Sequence, residues 1–238
     1  MRKHRTKCLI KSVAGSTLLV WLFLTASAAH AGNIIVNGDF ELASVPGCTY
    51  PSCWGFTSAY TYVPPPYSTV PGSHSLFYEG TFGVLTDPSQ AHGAATSYGD
   101  HTTGTGYMMA VNGANLVANE VVWEETVQVS PNTPYQFSMW SSSWDSGSPA
   151  VLEFLFNGTS IGTLTDSITP GVWWNFATGW DSGANTSLTI DIIDLNTATM
   201  GNDFAIDDIS LSPEPTTLLL LGSGLAAIGI LRLRRLRR

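Results

Sequence analysis

Lysine and arginine are missing from the central part of this 238-residue sequence. All ten lie near the two ends, five within the first eleven residues and five within the last seven. Residues 32–212 hold all but one of the eighteen Asp and Glu residues, which gives this stretch a formal charge of −17. Proteins bind nucleic acids mainly through Lys and Arg side chains that neutralise phosphates. The sequence therefore excludes nucleic acid as a partner.

Cysteine is also scarce, since the chain has three. Cys8 precedes the apolar part of the N-terminal segment, and Cys48 and Cys53 form the only other pair. Two cysteines so close together in a loop flanked by Pro and Gly can close a small disulfide in an oxidising compartment. Two thiolates alone make an incomplete zinc site. The sequence favours a Cys48–Cys53 disulfide over a metal clip.

Signs of catalysis are few. His74, His92 and His101 lack the spacing of metal ligands. Glu124 and Glu125 are adjacent in a predicted strand, so their side chains point to opposite faces and cannot flank one glycosidic bond. We predict that the chain is not an enzyme, and a secreted hydrolase is the less favoured alternative.

The N-terminus has the three parts of a secretory signal. A basic region is followed by an apolar stretch centred on residues 18–24 and by Ala29-His30-Ala31, the small-residue pattern that signal peptidase cuts. The apolar stretch is shorter than the ~20 residues that a spanning helix prefers. We predict a helical signal peptide over residues 1–31, cleaved before Gly32, with an uncleaved anchor as the alternative.

The C-terminus has the pattern of a membrane tether. Pro213-Glu214-Pro215 precedes an apolar stretch at residues 216–231, and five arginines follow it. A helix over that stretch would span ~24 Å of a hydrocarbon core that is ~30 Å thick. Its basic end should stay in the cytoplasm. The sequence predicts a transmembrane helix that leaves the acidic stretch outside the cell membrane.

Residues 213–238 resemble the PEP-CTERM sorting signal of Gram-negative bacteria. The resemblance is carried by Pro213-Glu214-Pro215, by the sequence Thr-Thr-Leu-Leu-Leu-Leu-Gly-Ser-Gly-Leu and by the terminal Arg cluster. It implies that an exosortase, a membrane enzyme, recognises the Pro-Glu-Pro motif, cuts near it and passes the protein to the cell surface or the extracellular matrix. The tail thus implies a destination and not an activity.

Residues 32–212 have the pattern of one all-β domain. Short alternating runs of β-branched and aromatic residues are separated by Gly, Pro, Asn and Ser, which is typical of a β-sandwich. Asn157-Gly158 predicts a hairpin turn, whereas residues 43–106 give no strand that can be placed. The predicted strands are 34–36, 107–112, 121–129, 135–140, 151–156, 161–164, 172–177, 188–195 and 204–211.

Several segments of this domain resemble the galactose-binding-like jelly rolls that include family 4, 9 and 22 carbohydrate-binding modules. This resemblance implies a jelly-roll β-sandwich, although residues 57–106 depart from the pattern. The matching segments are Asn37-Gly38-Asp39-Phe40-Glu41, Trp54-Gly55-Phe56, residues 127–129, residues 135–140, Asn157-Gly158 with Ile161-Gly162-Thr163, and residues 201–211.

A pair of acidic residues, Asp207-Asp208, interrupts the alternation of the last predicted strand, which indicates a bulge that aims a carboxylate. In the resembling modules a structural calcium ion is held by the Glu of the Asn-Gly-Asp/Ser-Phe-Glu motif and by an Asp of the acidic pair. Calcium prefers several oxygen ligands. The resemblance therefore implies calcium at Glu41 and Asp207, with Asp208, Asp39 and Gly38 as further candidates and simple solvated turns as the alternative.

Aromatic residues outside the predicted core suggest a sugar-binding surface, because sugar rings stack on flat aromatic faces while polar neighbours bind their hydroxyls. The alternation places Trp140 and Trp173 away from the face that Phe137 and Trp174 share. Further tryptophans and tyrosines lie in predicted loops. The predicted glycan-binding residues are Trp140, Trp173, Trp144 and Tyr62, and core or rim positions are the alternative for each.

These patterns predict an exported, non-enzymatic surface or matrix protein whose β-sandwich binds glycan, with exopolysaccharide as the expected ligand. The alternative is a structural or adhesive module that makes protein contacts and has no sugar site.

Overall fold

The computed structural model describes residues 32–114 and 120–214. The predicted signal peptide and the predicted transmembrane helix lie outside these residues. Within them, no helix is both long enough and apolar enough to cross a membrane. The described residues form two short 3-10 helices, Glu41–Ser44 and Pro88–Gln90, and ten strands. The strands are β1 (Thr61–Tyr62), β2 (Thr81–Leu85), β3 (Met108–Asn112), β4 (Val121–Gln128), β5 (Pro134–Ser143), β6 (Val151–Phe156), β7 (Thr159–Thr165), β8 (Trp174–Asp181), β9 (Ser187–Asp194) and β10 (Asp203–Pro213).

The strands form two sheets that enclose the main core. One sheet has the order β1-β2-β3-β10-β5-β8, and the other has the order β4-β9-β6-β7. All described pairings are antiparallel except that of β1 with β2. The predicted all-β sandwich is therefore confirmed. Its largest fully buried side chains include Phe82, Trp123, Phe137, Phe154 and Phe204.

Local patterns predicted several elements correctly. β6 has the predicted bounds, and Asn157 and Gly158 have φ angles of 49° and 74°, as a hairpin turn between β6 and β7 requires. In β5, Tyr135, Phe137 and Met139 are buried and alternate with more exposed residues, which confirms the predicted inward face.

The predicted strand at residues 34–36 is wrong. This segment is irregular and leads into a turn, although the Ile34 N–H still donates to the carbonyl of Leu211 in β10 at 2.9 Å. Conversely, β1 and β2 lie in residues 43–106, where no strand was predicted. Both errors concern segments whose conformation depends on contacts with distant strands.

A second, smaller core lies on the outer face of the six-stranded sheet. Val63, Leu76, Leu85, Ala91 and Trp144 are buried together there. Residues 63–98, apart from β2, which belongs to the sheet, therefore cover part of a face that would otherwise meet water; we call them the covering segment. In the preceding loop, Cys48 and Cys53 form the predicted disulfide, with their Cα atoms 5.6 Å apart.

Candidate functional site

An irregularity in β10 buries the side chain of Asp207 and leaves that of the adjacent Asp208 partly exposed. The pairing of β10 with β5 shifts between Asp207 and Ser210, and Asp208 has a φ angle of 50°. This confirms the predicted bulge. The Ile209 N–H donates to the carbonyl of Gly38 at 2.8 Å, and a Cβ atom at Gly38 would collide with the Ile209 carbonyl oxygen. Glycine at this position therefore lets the N-terminal turn pack directly on the bulge.

Glu41 and Asp207 hold the two ends of one loop, residues 100–107. The buried Asp207 carboxylate accepts hydrogen bonds from the N–H groups of His101 at 2.9 Å and Thr102 at 3.3 Å. Glu41 Oε1 accepts from the N–H of Tyr107 at 2.8 Å. Burial, followed by the charge of the adjacent Asp208, raises the pKa of Asp207 to about 7. Both predicted principal calcium ligands therefore contact the same loop.

Asp100 is a buried carboxylate in this loop that the sequence did not single out. It accepts hydrogen bonds from the N–H groups of Gly106 at 2.6 Å and Thr103 at 2.8 Å. A Cβ atom at Gly106 would collide with Glu41 Oε1 and lie 3.1 Å from Asp100 Oδ2. The Glu41 and Asp100 carboxylates therefore approach the same glycine, in a domain that has no Lys or Arg to compensate them.

The five predicted calcium ligands lie around two neighbouring features. Gly38, Asp39 and Asp208 line a cleft beside the bulge, and Glu41, Asp207 and also Asp208 bind the loop at residues 100–107. Across the two described stretches, no three His, Cys, Asp or Glu side chains are arranged to hold a metal ion. A calcium ion in this region would need main-chain oxygens or water as additional ligands.

The larger concave site is a pocket of about 560 Å³ beyond the end of β2 and the start of β3, which we call the aromatic pocket. The disulfide loop, the proline-rich loop and the turn after β2 form its walls. Its polar lining comes from Thr49, Thr86 and Gln90. Its aromatic lining comes from Trp54, Tyr62, Tyr67 and Tyr107.

Two strand residues explain how the aromatic pocket forms. Gly83 has no side chain, so the ring of Tyr67 lies over β2 and the Tyr67 hydroxyl donates to the Val84 carbonyl at 2.9 Å. Tyr62 lies in β1, and its ring meets Trp54 edge-on with centroids 5.5 Å apart. Burial raises the pKa of both tyrosines, so their hydroxyl groups stay neutral. The pocket therefore offers uncharged aromatic and hydrogen-bonding groups.

A second aromatic group lies on the outer face of β5 and β8. Trp140 is half-buried and points away from the core, as predicted, and the ring of His101 stacks on it at 3.9 Å with an angle of 16°. Trp173 meets the same histidine edge-on at 5.8 Å. His101 Nδ1 also lies 2.6 Å from Asp208 Oδ2. Part of the predicted stacking surface is therefore already covered by a histidine.

The prediction that Trp144 binds glycan is wrong. Its side chain is fully buried, and its Nε1–H donates to the carbonyls of Val111 at 3.1 Å and Phe204 at 2.6 Å. The covering segment at residues 63–98 encloses it, so no face of the indole is free for a sugar. Of the four predicted residues, Tyr62 lies in the aromatic pocket and Trp140 and Trp173 lie beside His101.

One sequence pattern resembles a hydrolase motif without its structure. Gly158-Thr-Ser160-Ile-Gly162 has the Gly-x-Ser-x-Gly spacing, but it begins in the β6–β7 turn and continues along β7. A nucleophile elbow joins a strand to a helix. Ser160 is therefore not placed as a nucleophile.

Comparison with known protein families identifies the tail. Residues 213–238 match the PEP-CTERM protein-sorting motif. The chain carries a PEP-CTERM signal. This signal implies an exported protein that is anchored in the membrane before exosortase processing and then lies at the cell surface. Pro213 ends β10, and the Glu214 N–H donates to the Pro134 carbonyl at 2.9 Å, so the PEP-CTERM motif begins within the folded domain.

No curated protein matches the chain significantly. Among solved structures, the Stig cyclase Fisc from Fischerella sp. TAU is 16% identical with a TM-score of 0.51, over 79% of this chain and 99% of that one. The CBM22 tandem domain of Paenibacillus barcinonensis Xyn10C is 15% identical with a TM-score of 0.45, over 79% and 47%. The sugar-binding C-terminal domain of EclA is 14% identical with a TM-score of 0.37, over 40% and 68%. At 16% identity the match to the Fisc cyclase is a similarity of fold alone.

Proposed function

We propose that this exported domain is a non-enzymatic module that binds a neutral glycan, such as exopolysaccharide, in the aromatic pocket. The observation that carries the proposal is a cavity of about 560 Å³ in which four aromatic rings lie beside amide and hydroxyl side chains. Such sites combine apolar faces for sugar rings with a few polar groups for their hydroxyls. A body of formal charge −17 without Lys or Arg repels uronic acids and sulfated sugars, which excludes anionic glycans.

The glycan proposal is tested by binding of the purified exported protein to an array of neutral polysaccharides. Tyr62→Ala removes a half-buried ring from the pocket wall, and we expect affinity for the retained glycan to fall by about tenfold or more, equivalent to about 1.4 kcal/mol. Trp174→Ala is the matched control, because Trp174 is 50% exposed and does not line the pocket. Absence of binding to any glycan, or equal losses in the two variants, would contradict the proposal.

An adhesive module that contacts protein is the second candidate. Ile168, Val172 and Trp174 are 68%, 43% and 50% exposed within one short segment, and exposed apolar patches often mark protein contacts. This function gains support if Trp174→Ala weakens attachment to cells while glycan binding is undetectable.

We further propose that a structural calcium ion stabilises the loop at residues 100–107. Glu41 and Asp100 approach one glycine with no neighbouring cation, and Asp207 binds the other end of the loop. Carboxylates and loop carbonyl oxygens are the ligands that calcium prefers. The ion would offset repulsion among these carboxylates and tie the N-terminal turn to β10.

Calcium is expected to raise the melting temperature, since a ligand of the native state at about 100 times its Kd adds about 2.7 kcal/mol. For a domain of this size that corresponds to about 5–10 °C. Glu41→Gln should reduce the shift, whereas Glu153→Gln, in the other sheet, should leave it unchanged. Differential scanning fluorimetry with calcium and with a chelator measures both. An unchanged melting temperature, or a full shift in Glu41→Gln, would argue against the ion.

A further inference from the structure

The polar and the apolar residues that line the aromatic pocket lie at different depths. Thr49 and Gln90 are exposed and Thr86 is partly exposed, so the polar lining lies at the mouth of the pocket. The buried lining residues, each at most 3% exposed, are Trp54, Val84 and Leu85. The pocket is therefore polar at its mouth and apolar at its buried end.

The buried end has few polar groups for a ligand hydroxyl. Within residues 32–114 and 120–214, no charged side chain lines the pocket. The Tyr67 hydroxyl already donates to the Val84 carbonyl at 2.9 Å, and the hydroxyls of Tyr62 and Tyr107 belong to partly exposed side chains. Trp54 Nε1 has no described acceptor, but it also has no accessible surface. A ligand hydroxyl at this end would lose its hydrogen bonds to water with little in return, which is unfavourable.

The arrangement of the rings restricts the shape of the group that fits there. Trp54 is 3% exposed, so it offers no free face, and it meets Tyr62 at an interplanar angle of 79°. The two rings form a corner and not a flat platform. A pyranose ring stacks on a flat aromatic face, whereas a methyl group is small enough to contact both rings of a corner. The buried end therefore suits an apolar substituent of a sugar, and stacking of the sugar ring is left to the partly exposed tyrosines.

We propose that the aromatic pocket selects 6-deoxyhexoses, in which a methyl group replaces the terminal hydroxymethyl group of the hexose. This inference rests on the glycan binding proposed above and names the class of sugar. The C6 methyl lies at the buried end, against Trp54 and Val84, and the ring hydroxyls lie at the mouth, near Thr86 and Gln90. A hexose with a hydroxyl at C6 would place that hydroxyl where partners are few.

The test compares glycosides that differ at C6 alone. Methyl α-L-fucopyranoside is paired with methyl α-L-galactopyranoside, and methyl α-L-rhamnopyranoside with methyl α-L-mannopyranoside. Ligand-observed NMR titration measures their binding to the exported protein. We expect the 6-deoxy member of at least one pair to bind about tenfold more tightly or better, since one apolar group in a hydrophobic pocket discriminates by roughly 10–200-fold. Saturation transfer from the protein should be strongest to the C6 methyl protons.

Three variants separate the two ends of the pocket. Val84→Thr places a hydroxyl in the buried wall at nearly constant size and should reduce the preference within the pair to about threefold or less. Val127→Thr is the matched control, because Val127 is buried in β4, away from the pocket, and should keep the preference. Gln90→Ala removes an exposed hydrogen-bonding group from the mouth, so it should weaken both members of the pair equally, by about threefold or more. Melting temperatures establish that each variant is folded.

Failure of this inference is distinguishable from failure of the proposed function. Equal binding within both pairs, or an unchanged preference in folded Val84→Thr, would contradict selection of 6-deoxyhexoses and leave glycan binding in place. If Val84→Thr does not fold, Gln90→Ala decides, since weakening of one member of the pair alone would contradict the proposed orientation. Binding of p-cresol without binding of any of the glycosides or of neutral polysaccharides would show a pocket for apolar small molecules and contradict both proposals.

Discussion

Replacement of Trp144 with alanine is expected to lower the free energy of unfolding by about 3–5 kcal/mol. The indole is fully buried, and it joins the covering segment at residues 63–98 to the outer face of the six-stranded sheet. The variant leaves a cavity and also deprives the Val111 and Phe204 carbonyls of a shared donor. Urea denaturation of the exported protein, followed by intrinsic fluorescence and by circular dichroism, measures the loss.

Trp174→Ala is the control for this experiment, because it removes the same side chain from a position that is 50% exposed. It should change the free energy of unfolding by less than about 0.5 kcal/mol. If Trp144→Ala unfolds like the wild type but loses glycan binding, Trp144 is a ligand-binding residue and the buried position described above is incorrect.

The domain is expected to be more stable at pH 5 than at pH 8. Burial raises the pKa values of Glu125, Asp166 and Asp203 to about 7 and that of Asp194 to about 6. Each of these side chains is at most 9% exposed, and no Lys or Arg in residues 32–212 offsets their charge. Ionisation of these groups is therefore opposed in the folded state.

The direction of the pH effect follows from proton binding. In the unfolded chain these carboxyls ionise near pH 4, whereas the folded protein retains their protons up to about pH 6–7. Their contribution to stability is fully present below about pH 4 and is lost as the pH rises through 7. Burial lowers the pKa of His92, which opposes this trend at acidic pH, but four carboxyls outweigh one imidazole.

Thermal denaturation in chelator between pH 5 and pH 8 tests this expectation. The melting temperature should fall by at least about 5 °C, since a loss of 1 kcal/mol corresponds to about 2–4 °C for a domain of this size. Asp166→Asn keeps an acceptor for the Ser141 hydroxyl, which lies 2.7 Å from Asp166 Oδ2, and should reduce the slope. A melting temperature that is constant or rises with pH would show that these carboxyls ionise freely in the fold.

The sequence predicted those parts of the fold that depend on local patterns. Alternation along β5 and β6 follows from one buried face, and Asn157-Gly158 is enough to specify a hairpin turn. The bulge at Asp207-Asp208 was also predictable, because two adjacent acids cannot both occupy the outward positions of a regular strand. In these cases, the information lies within a few consecutive residues.

The two candidate sites depend on contacts between residues far apart in the chain. The aromatic pocket joins the disulfide loop, β1, the turn after β2 and the residue before β3, and no periodicity links Trp54 to Tyr107. Asp100 lies in a loop of Gly and Thr residues that has the composition of an exposed turn, yet it is 3% exposed. Trp144 follows β5, and the sequence predicts a loop there, because no pattern in the sequence shows which segment covers this residue. The aromatic pocket and the burial of Asp100 and Trp144 therefore follow from tertiary contacts, which the sequence pattern does not reveal.

The direct continuation of β10 into the PEP-CTERM motif affects how a processing enzyme can reach that motif. Pro213 pairs with Tyr135 in the sheet, and the Glu214 N–H donates to the Pro134 carbonyl, so the first two residues of the motif are held by the neighbouring strand. An exosortase that binds Pro213-Glu214-Pro215 in an extended form would therefore have to peel the end of β10 away from β5 before it could cut.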